Sequence, residues 1–443
     1  MMELIVITHV NFIRVSIKTL SAFTLLLIAL IASNKSFAQD LDKRIPNGTE
    51  GEFFPKEDSS VSVKKKKPWN ELHFRRTTIR IGAGLLYEYA AYAQDQNSKI
   101  QSDSGGYSLS PAFKVRDFRL LFSGKLNTRR TITWKAGFMY DGATNSWLVR
   151  ESGIMFDLPE IHGNLFIGRT KEGFSLNKIM NGYAGWTMER QMAIDVIPIL
   201  ADGIKYMGYF PGKNIFWNVG IFTDWLSHTQ SFSTYKWQVA TRLAWLPINN
   251  TAENKVLHLG LNLRVGEPEN GQIRLRSRPE ANPAPYFIDT GTFPADGSTH
   301  FGYEAYYTTG QFMIGSEYYL HKFYSTSEQN PLFRGGDIMV SYIFTGESRP
   351  YAHVSGIYSF VPVKRPVFKG GIGAIEGLIR FSQLNLNDGL ITGGKFWRIT
   401  PMVNWYMTPI IRFEIAYGYG ILDRYNLKGA TQFFQSRIQI VIL

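Results

Sequence analysis

Three arginines carry the strongest chemical signal in the chain. Arg274, Arg276 and Arg278 alternate with Ile273, Leu275 and Ser277, so an extended segment projects three guanidiniums from one side. Cations repeated at about 7 Å repel one another unless something anionic compensates them. Arginine suits an anion because its planar fork matches oxyanions and it keeps its charge at every working pH. Further bases fall opposite an apolar stripe: Arg80, Arg119, Lys125, Lys135, Arg264, Arg380, Arg398, Arg412 and Arg437. Glu88, Asp117, Glu376 and Glu414 share that face, so internal ion pairing is the competing use of the same cations. The bases outnumber these acids, which favours an anion path.

Catalytic chemistry finds no comparable pattern. The chain of 443 residues has no cysteine, which excludes disulfides, thiolate metal sites and a cysteine nucleophile. The eight histidines have no metal-ligand spacing, and neither a Gly-x-Ser-x-Gly elbow nor a phosphate-cradling glycine loop occurs. The expectation is a non-enzyme without cofactor or metal. The net charge is +12. Three bases against one acid in the leader described below account for +2 of this, leaving about +10 for the remainder.

The elements that position these cations are strands. In Val256–Val265, Leu257, Leu259, Leu261, Leu263 and Val265 form one stripe opposite His258, Gly260, Asn262 and Arg264. The same period of two returns at 79–85, 131–141, 312–318, 338–344, 397–405 and 411–417, and in a last strand through Phe434, Ile438, Ile440 and Ile442. Trp, Tyr and Phe cap the apolar faces, as membrane interfaces require, and the segments have the length of tilted membrane strands. Backbone groups in hydrocarbon must all be paired, so such strands have to close on themselves. The predicted class is all-β: a closed antiparallel transmembrane β-barrel of about 16 strands, from roughly 23 residues per strand and connection.

Ahead of the barrel, Arg14 and Lys18 precede the apolar run 20–32, and Ser36-Phe37-Ala38 supplies small residues before Gln39. This predicts a cleavable signal peptide over 1–38 rather than an uncleaved anchor. Residues 39–74 read as a polar lead-in with the run Lys64–Lys67, and 75–443 as the barrel. Export argues against nucleic acid as a partner and leaves outer-membrane lipid and small anions.

From Gly173 to Asp202 the alternation stops. Thirty residues without strand texture suggest a functional segment, and Ile194, Val196, Ile197, Ile199 and Leu200 favour packing inside the barrel over exposure outside it.

Several motifs together resemble the phosphate-selective porin O and P family. They are Tyr342-Ile343-Phe344-Thr345-Gly346-Glu347-Ser348-Arg349, Gly373-Ala374-Ile375-Glu376, Arg380-Phe381-Ser382, Leu386-Asn387-Asp388-Gly389 and Asn404-Trp405-Tyr406. Upstream, Val115–Leu120 with Arg119, Gly168–Lys178, Glu189-Arg190 and His258–Leu261 with the Arg274–Arg278 series are similar to further family segments. The resemblance implies a homotrimer of 16-stranded barrels, a third loop folded inward, and a lumen whose basic residues draw phosphate-like anions to a constriction over 173–202. It implies that Lys135, Lys178 and Arg190 lie near that constriction and that Arg274, Arg276 and Arg278 are rungs of a ladder. Asp117, Ala91, Arg150 and Asn181-Gly182 depart from the family's pattern. The alternative reading is therefore a general or plugged structural barrel without phosphate specificity.

Overall fold

The computed structural model describes residues 68–443 except 143, 228–233, 251 and 353. The expected signal peptide and most of the expected lead-in, with its lysine run, lie outside the described residues.

Sixteen long strands make the wall. They are β1 Thr78–Gln94, β2 Ala112–Leu126, β3 Ile132–Asp141, β4 Ser152–Leu158, β5 Gly163–Thr170, β6 Ala201–Phe210, β7 Ile215–Thr223 and β8 Tyr235–Asn250. The wall continues with β9 Lys255–Pro268, β10 Gly297–Thr309, β11 Phe312–Tyr324, β12 Leu332–Ile343, β13 Ala374–Asp388, β14 Ile391–Tyr406, β15 Ile411–Arg424 and β16 Leu427–Ile442. Each strand pairs antiparallel with its successor, and β16 returns to β1 with Glu88 opposite Arg437 and Ala83 opposite Ile442. That last pairing removes both sheet edges and satisfies the backbone all round.

The period of two becomes an outside and an inside. On β12, Ile338 and Val340 are 48% and 40% exposed while Met339 between them is 1% exposed. Outward side chains such as Ile81, Ile154, Ile204, Leu259, Leu261 and Ile415 clothe the barrel in hydrocarbon, with Trp147, Trp245, Tyr303 and Phe344 among them. His258, Asn262 and Arg264 point inward and are buried, as their parity on β9 requires.

What fills the interior is the connections. At one end, the loop end, α1 (Gln96–Ser104) joins β1 to β2; Asp95 caps it and Gln101 donates to the carbonyls of Leu422 and Leu427. The connection 171–200 between β5 and β6 lies inside the barrel. Its one-turn helix α2 (Leu176–Ile179) is capped by Ser175, whose hydroxyl also donates to Glu317 on β11. Asn404, Arg412 and Gln439 donate to the carbonyls of Trp186, Gly185 and Tyr183 in the same segment. The β9–β10 connection forms a hairpin, Gln272–Ser277 with Ile288–Pro294, and packs Ile273, Phe287 and Phe293 against inward Phe323, Phe333, Phe396 and Phe433. From the opposite end, where β1 begins and β16 finishes, the β12–β13 connection also enters. Its Tyr351 and Tyr358 reach His258 and Thr308, and Arg349 donates to the Ala184 carbonyl at 2.9 Å. Gly356 on this connection has φ 67° and lies against the Phe216 ring, where any Cβ would overlap. Segments from both ends therefore meet inside the wall.

Candidate functional site

The loop end retains a cavity of about 180 Å³. Three elements surround it: β2 with β3 and the chain that follows, the 189–200 part of the internal segment, and the hairpin region 274–286. Seven arginines border it, Arg116, Arg119, Arg150, Arg190, Arg274, Arg276 and Arg278, against the four carboxylates of Asp141, Glu189, Asp195 and Glu280. Arg274 and Thr144 on its rim are exposed, so the cavity opens to solvent.

Five of the seven residues singled out from the sequence meet here. Arg274 pairs with Asp289 at 2.5 Å, Arg276 and Arg278 flank the Tyr286 ring at 4.4 and 4.7 Å, and Arg278 donates to the carbonyls of Asn282 and Ala284. Their segment is no barrel strand but the inserted hairpin, and Ile273 and Leu275 anchor its other face in the core. Arg119 reaches Asp117 at 2.7 Å, and Arg190 donates to the carbonyls of Asn177 and Met180, which ties the two limbs of the internal segment together. Lys135 and Lys178 lie elsewhere. Lys135 pairs with Glu151 at 2.9 Å, beside Phe166. Lys178 is fully buried on Glu172, which Arg264 also holds.

The inward carboxylates have partners as well: Glu88 with Arg437, Asp117 with Arg119, Glu376 with Arg349 and Glu414 with Arg412. Among the strand cations, internal pairing is the rule. The excess of arginine is concentrated around the loop-end cavity.

Sequence parity misses Arg116. The pairing slips between Leu86↔Asp117 and Tyr87↔Val115, so Arg116 is the extra residue of a β-bulge and turns inward beside Asp117. Its guanidinium then reaches Glu189 of the internal segment at 2.9 Å. A strict period of two cannot place it, since adjacent residues face the same side only at such a bulge.

The electrostatics of the inserted segments follow from burial and neighbours. Burial alone would raise Glu189, but Arg116 and Arg437 outweigh it and hold the carboxyl down at about 2. Burial raises Asp195 to about 7, with Ser277 opposing as hydrogen-bond donor and Glu189 adding to the rise. Burial also pushes Lys178 down to about 8 against the pull of Glu172. A cavity with ionised arginines and one half-protonated carboxyl can hold an anion and release it.

A Tyr–His–Glu relay does occur, with His258 at 2.6 Å from Tyr351 and 2.8 Å from Glu304. Both His258 and Glu304 are buried, and Arg242 closes on Glu304, so the relay pins the β12–β13 connection to the wall.

The family model for phosphate-selective porin O and P matches residues 90–440. The chain belongs to that family. This porin is similar to an uncharacterized protein of Caulobacter vibrioides, 30% identical over 179 residues, a match covering 40% of this chain and 35% of that relative. The match thus spans about a third of the relative's length. The barrel is similar to the anion-selective porin of Comamonas acidovorans, with TM-score 0.51, 11% identity, and coverage of 83% of this chain and 100% of that one. It is also similar to Pseudomonas putida OprB at high pH (TM-score 0.51, 10% identity, 82% and 94% covered) and to the trimer form of Vibrio cholerae OmpT (0.50, 12%, 83% and 100%). At these identities the likeness establishes the fold. With the family, it makes the protein an outer-membrane porin.

Proposed function

We propose that this porin passes small anions passively, with phosphate the leading inorganic candidate, and that residues 173–202 form its constriction. The observation that carries the reading is the ratio of seven arginines to four carboxylates around one solvent-open cavity. Arg119, Arg190, Arg274, Arg276 and Arg278 attract the anion there, while Lys135 and Lys178 act from within the packed interior by fixing Glu151 and Glu172. A positive, partly dehydrated enclosure raises local anion concentration because its field is screened less than in bulk water. The porin works as a homotrimer in this reading, exported through a cleavable signal peptide over 1–38; cross-linking and the mature N-terminal sequence test those two points. Purified protein in planar bilayers should give reversal potentials in a salt gradient that favour chloride over potassium. Replacing Arg274, Arg276 and Arg278 with Gln should lower that preference without preventing assembly; an unchanged reversal potential would sink the reading.

A second reading, a plugged barrel, is favoured by the segments 171–200 and 344–373 meeting inside the wall. It expects no conductance from the native protein and conductance after removal of residues 178–190.

A further inference from the structure

The cavity wall is not uniformly polar. Beside Arg119 and Arg150 it presents Met139 and Leu148, which face each other across neighbouring strands, and the internal segment adds Ile199; Leu148 and Ile199 are half-buried. The half-buried Tyr286 ring, 4.4 Å from the Arg276 guanidinium and 4.7 Å from that of Arg278, adds an aromatic edge. A hydrated inorganic anion gains nothing from such a shelf, because apolar side chains offer it no donors and remove its water. An organic anion uses both halves, with its head group on guanidiniums and its apolar part on the shelf. The volume fits such a solute, since an apolar cavity of about 150 Å³ accepts a benzene ring. At about 180 Å³ this cavity holds one ring or one short alkyl chain with its carboxylate.

We infer that the loop-end cavity selects amphipathic organic anions, carboxylates or sulfonates on a single ring or short chain, over phosphate and chloride. This rests on the anion-passage reading and narrows its substrate class. Arg276 and Arg278 orient the head group, and Tyr286, Leu148 and Ile199 receive the tail. Each methylene buried on that shelf should tighten binding about fourfold, until the tail outgrows the cavity.

The test is block of chloride current through the native porin in planar bilayers, with acetate, butyrate, hexanoate, benzoate or inorganic phosphate added on the loop side. The half-blocking concentration should fall steeply from acetate to hexanoate, with benzoate close to hexanoate and phosphate among the weakest. Leu148→Asn should flatten the series by weakening hexanoate far more than acetate. Equal block by acetate and hexanoate, strongest block by phosphate, or no block by any of them overturns the inference. Reversal potentials from the same membranes separate the two levels. Intact anion preference with a flat series removes only the amphipathic selectivity, whereas absence of anion preference removes the anion reading and this inference with it.

Discussion

The guanidinium carbon of Arg119 stands 4.4 Å over the ring centroid of Tyr183, and Asp117 binds both, accepting from Arg119 at 2.7 Å and from the Tyr183 hydroxyl at 3.1 Å. Arg119 borders the loop-end cavity, while Tyr183 borders a smaller pocket of about 20 Å³ at the opposite end. The loop-end cavity and this smaller pocket thus meet across the stack. Gly84 makes room for it, since a Cβ there would overlap the Tyr183 ring.

The first prediction concerns that stack. Tyr183→Ala should raise single-channel conductance, because it opens the wall between the two pockets. Loss of a buried ring should cost about 3–5 kcal/mol of stability, yet heat-modifiable gel mobility should persist if the wall still closes. Tyr183→Phe keeps the ring on Arg119 and loses only the bond to Asp117, so its conductance should stay near the native value. Equal conductance in all three proteins means that solute does not pass Tyr183.

Asp195 should make anion binding depend on pH. It faces Ser277, Glu189, Glu280 and Arg278, and burial holds its carboxyl at about 7. Below that value it is neutral and the cavity more positive; above it, one more negative charge faces the anion. The half-blocking concentration of a carboxylate should therefore rise as pH increases from 6 to 8. Asp195→Asn should bind as the native porin does at pH 6 and remain flat across the range. Native block that does not change with pH excludes Asp195 from the binding field.

Lys178 makes a prediction about stability. Its neighbours are Glu172, Arg264 and Asp224, and burial lowers it from an ordinary 10.5 to about 8. Below pH 8 both folded and unfolded chains hold the proton, and the burial cost is fully present. Between 8 and 10.5 the unfolded chain binds more protons, so stability should rise with pH by about 3 kcal/mol. Lys178→Met should remove this rise while Arg264 still neutralises Glu172. Denaturant midpoints of lipid-reconstituted protein at pH 7, 8.5 and 10 measure both slopes; parallel slopes in the two proteins contradict the assignment.

The wall was legible in the sequence because a period of two has one physical meaning once one face is apolar: Leu259 and Leu261 had to face away from Asn262 and Arg264. The internal placement of 171–200 was legible from its apolar texture. Other features depend on contacts distant in sequence. Arg116 turns inward through a bulge that only strand register reveals, and the β12–β13 connection enters the barrel on bonds from Tyr351 to His258 and from Arg349 to the Ala184 carbonyl, both far along the chain. One unused signal was present. Phe323, Phe333, Phe396 and Phe433 occupy inward parity, and aromatic rings facing a lumen imply that something apolar covers them. The charge count favoured a basic interior, but which cations are paired was decided by packing, as with Lys178 on Glu172.

The seam of the barrel gives the last prediction. Arg437 on β16 donates through Nε to Glu88 on β1 at 2.9 Å, and its remaining nitrogens reach Glu88, Glu189 and the Met188 carbonyl. One guanidinium therefore joins the last strand, the first strand and the internal segment, with both it and Glu88 2% exposed. Removing one member of a buried pair strands the other charge, at about 3–5 kcal/mol. Arg437→Met should lower the denaturant midpoint accordingly, because Glu189 keeps its ion pair with Arg116 but Glu88 loses the guanidinium that is hydrogen-bonded to it. Pairing it with Glu88→Met removes the stranded charge, so the double variant should recover much of the loss, as apolar replacement of a whole buried pair is often neutral. Denaturant midpoints of the two variants and the native porin decide the matter. If the double variant is no more stable than the single one, the loss comes from packing or from the bond to Met188, and the ion pair does not hold the seam closed.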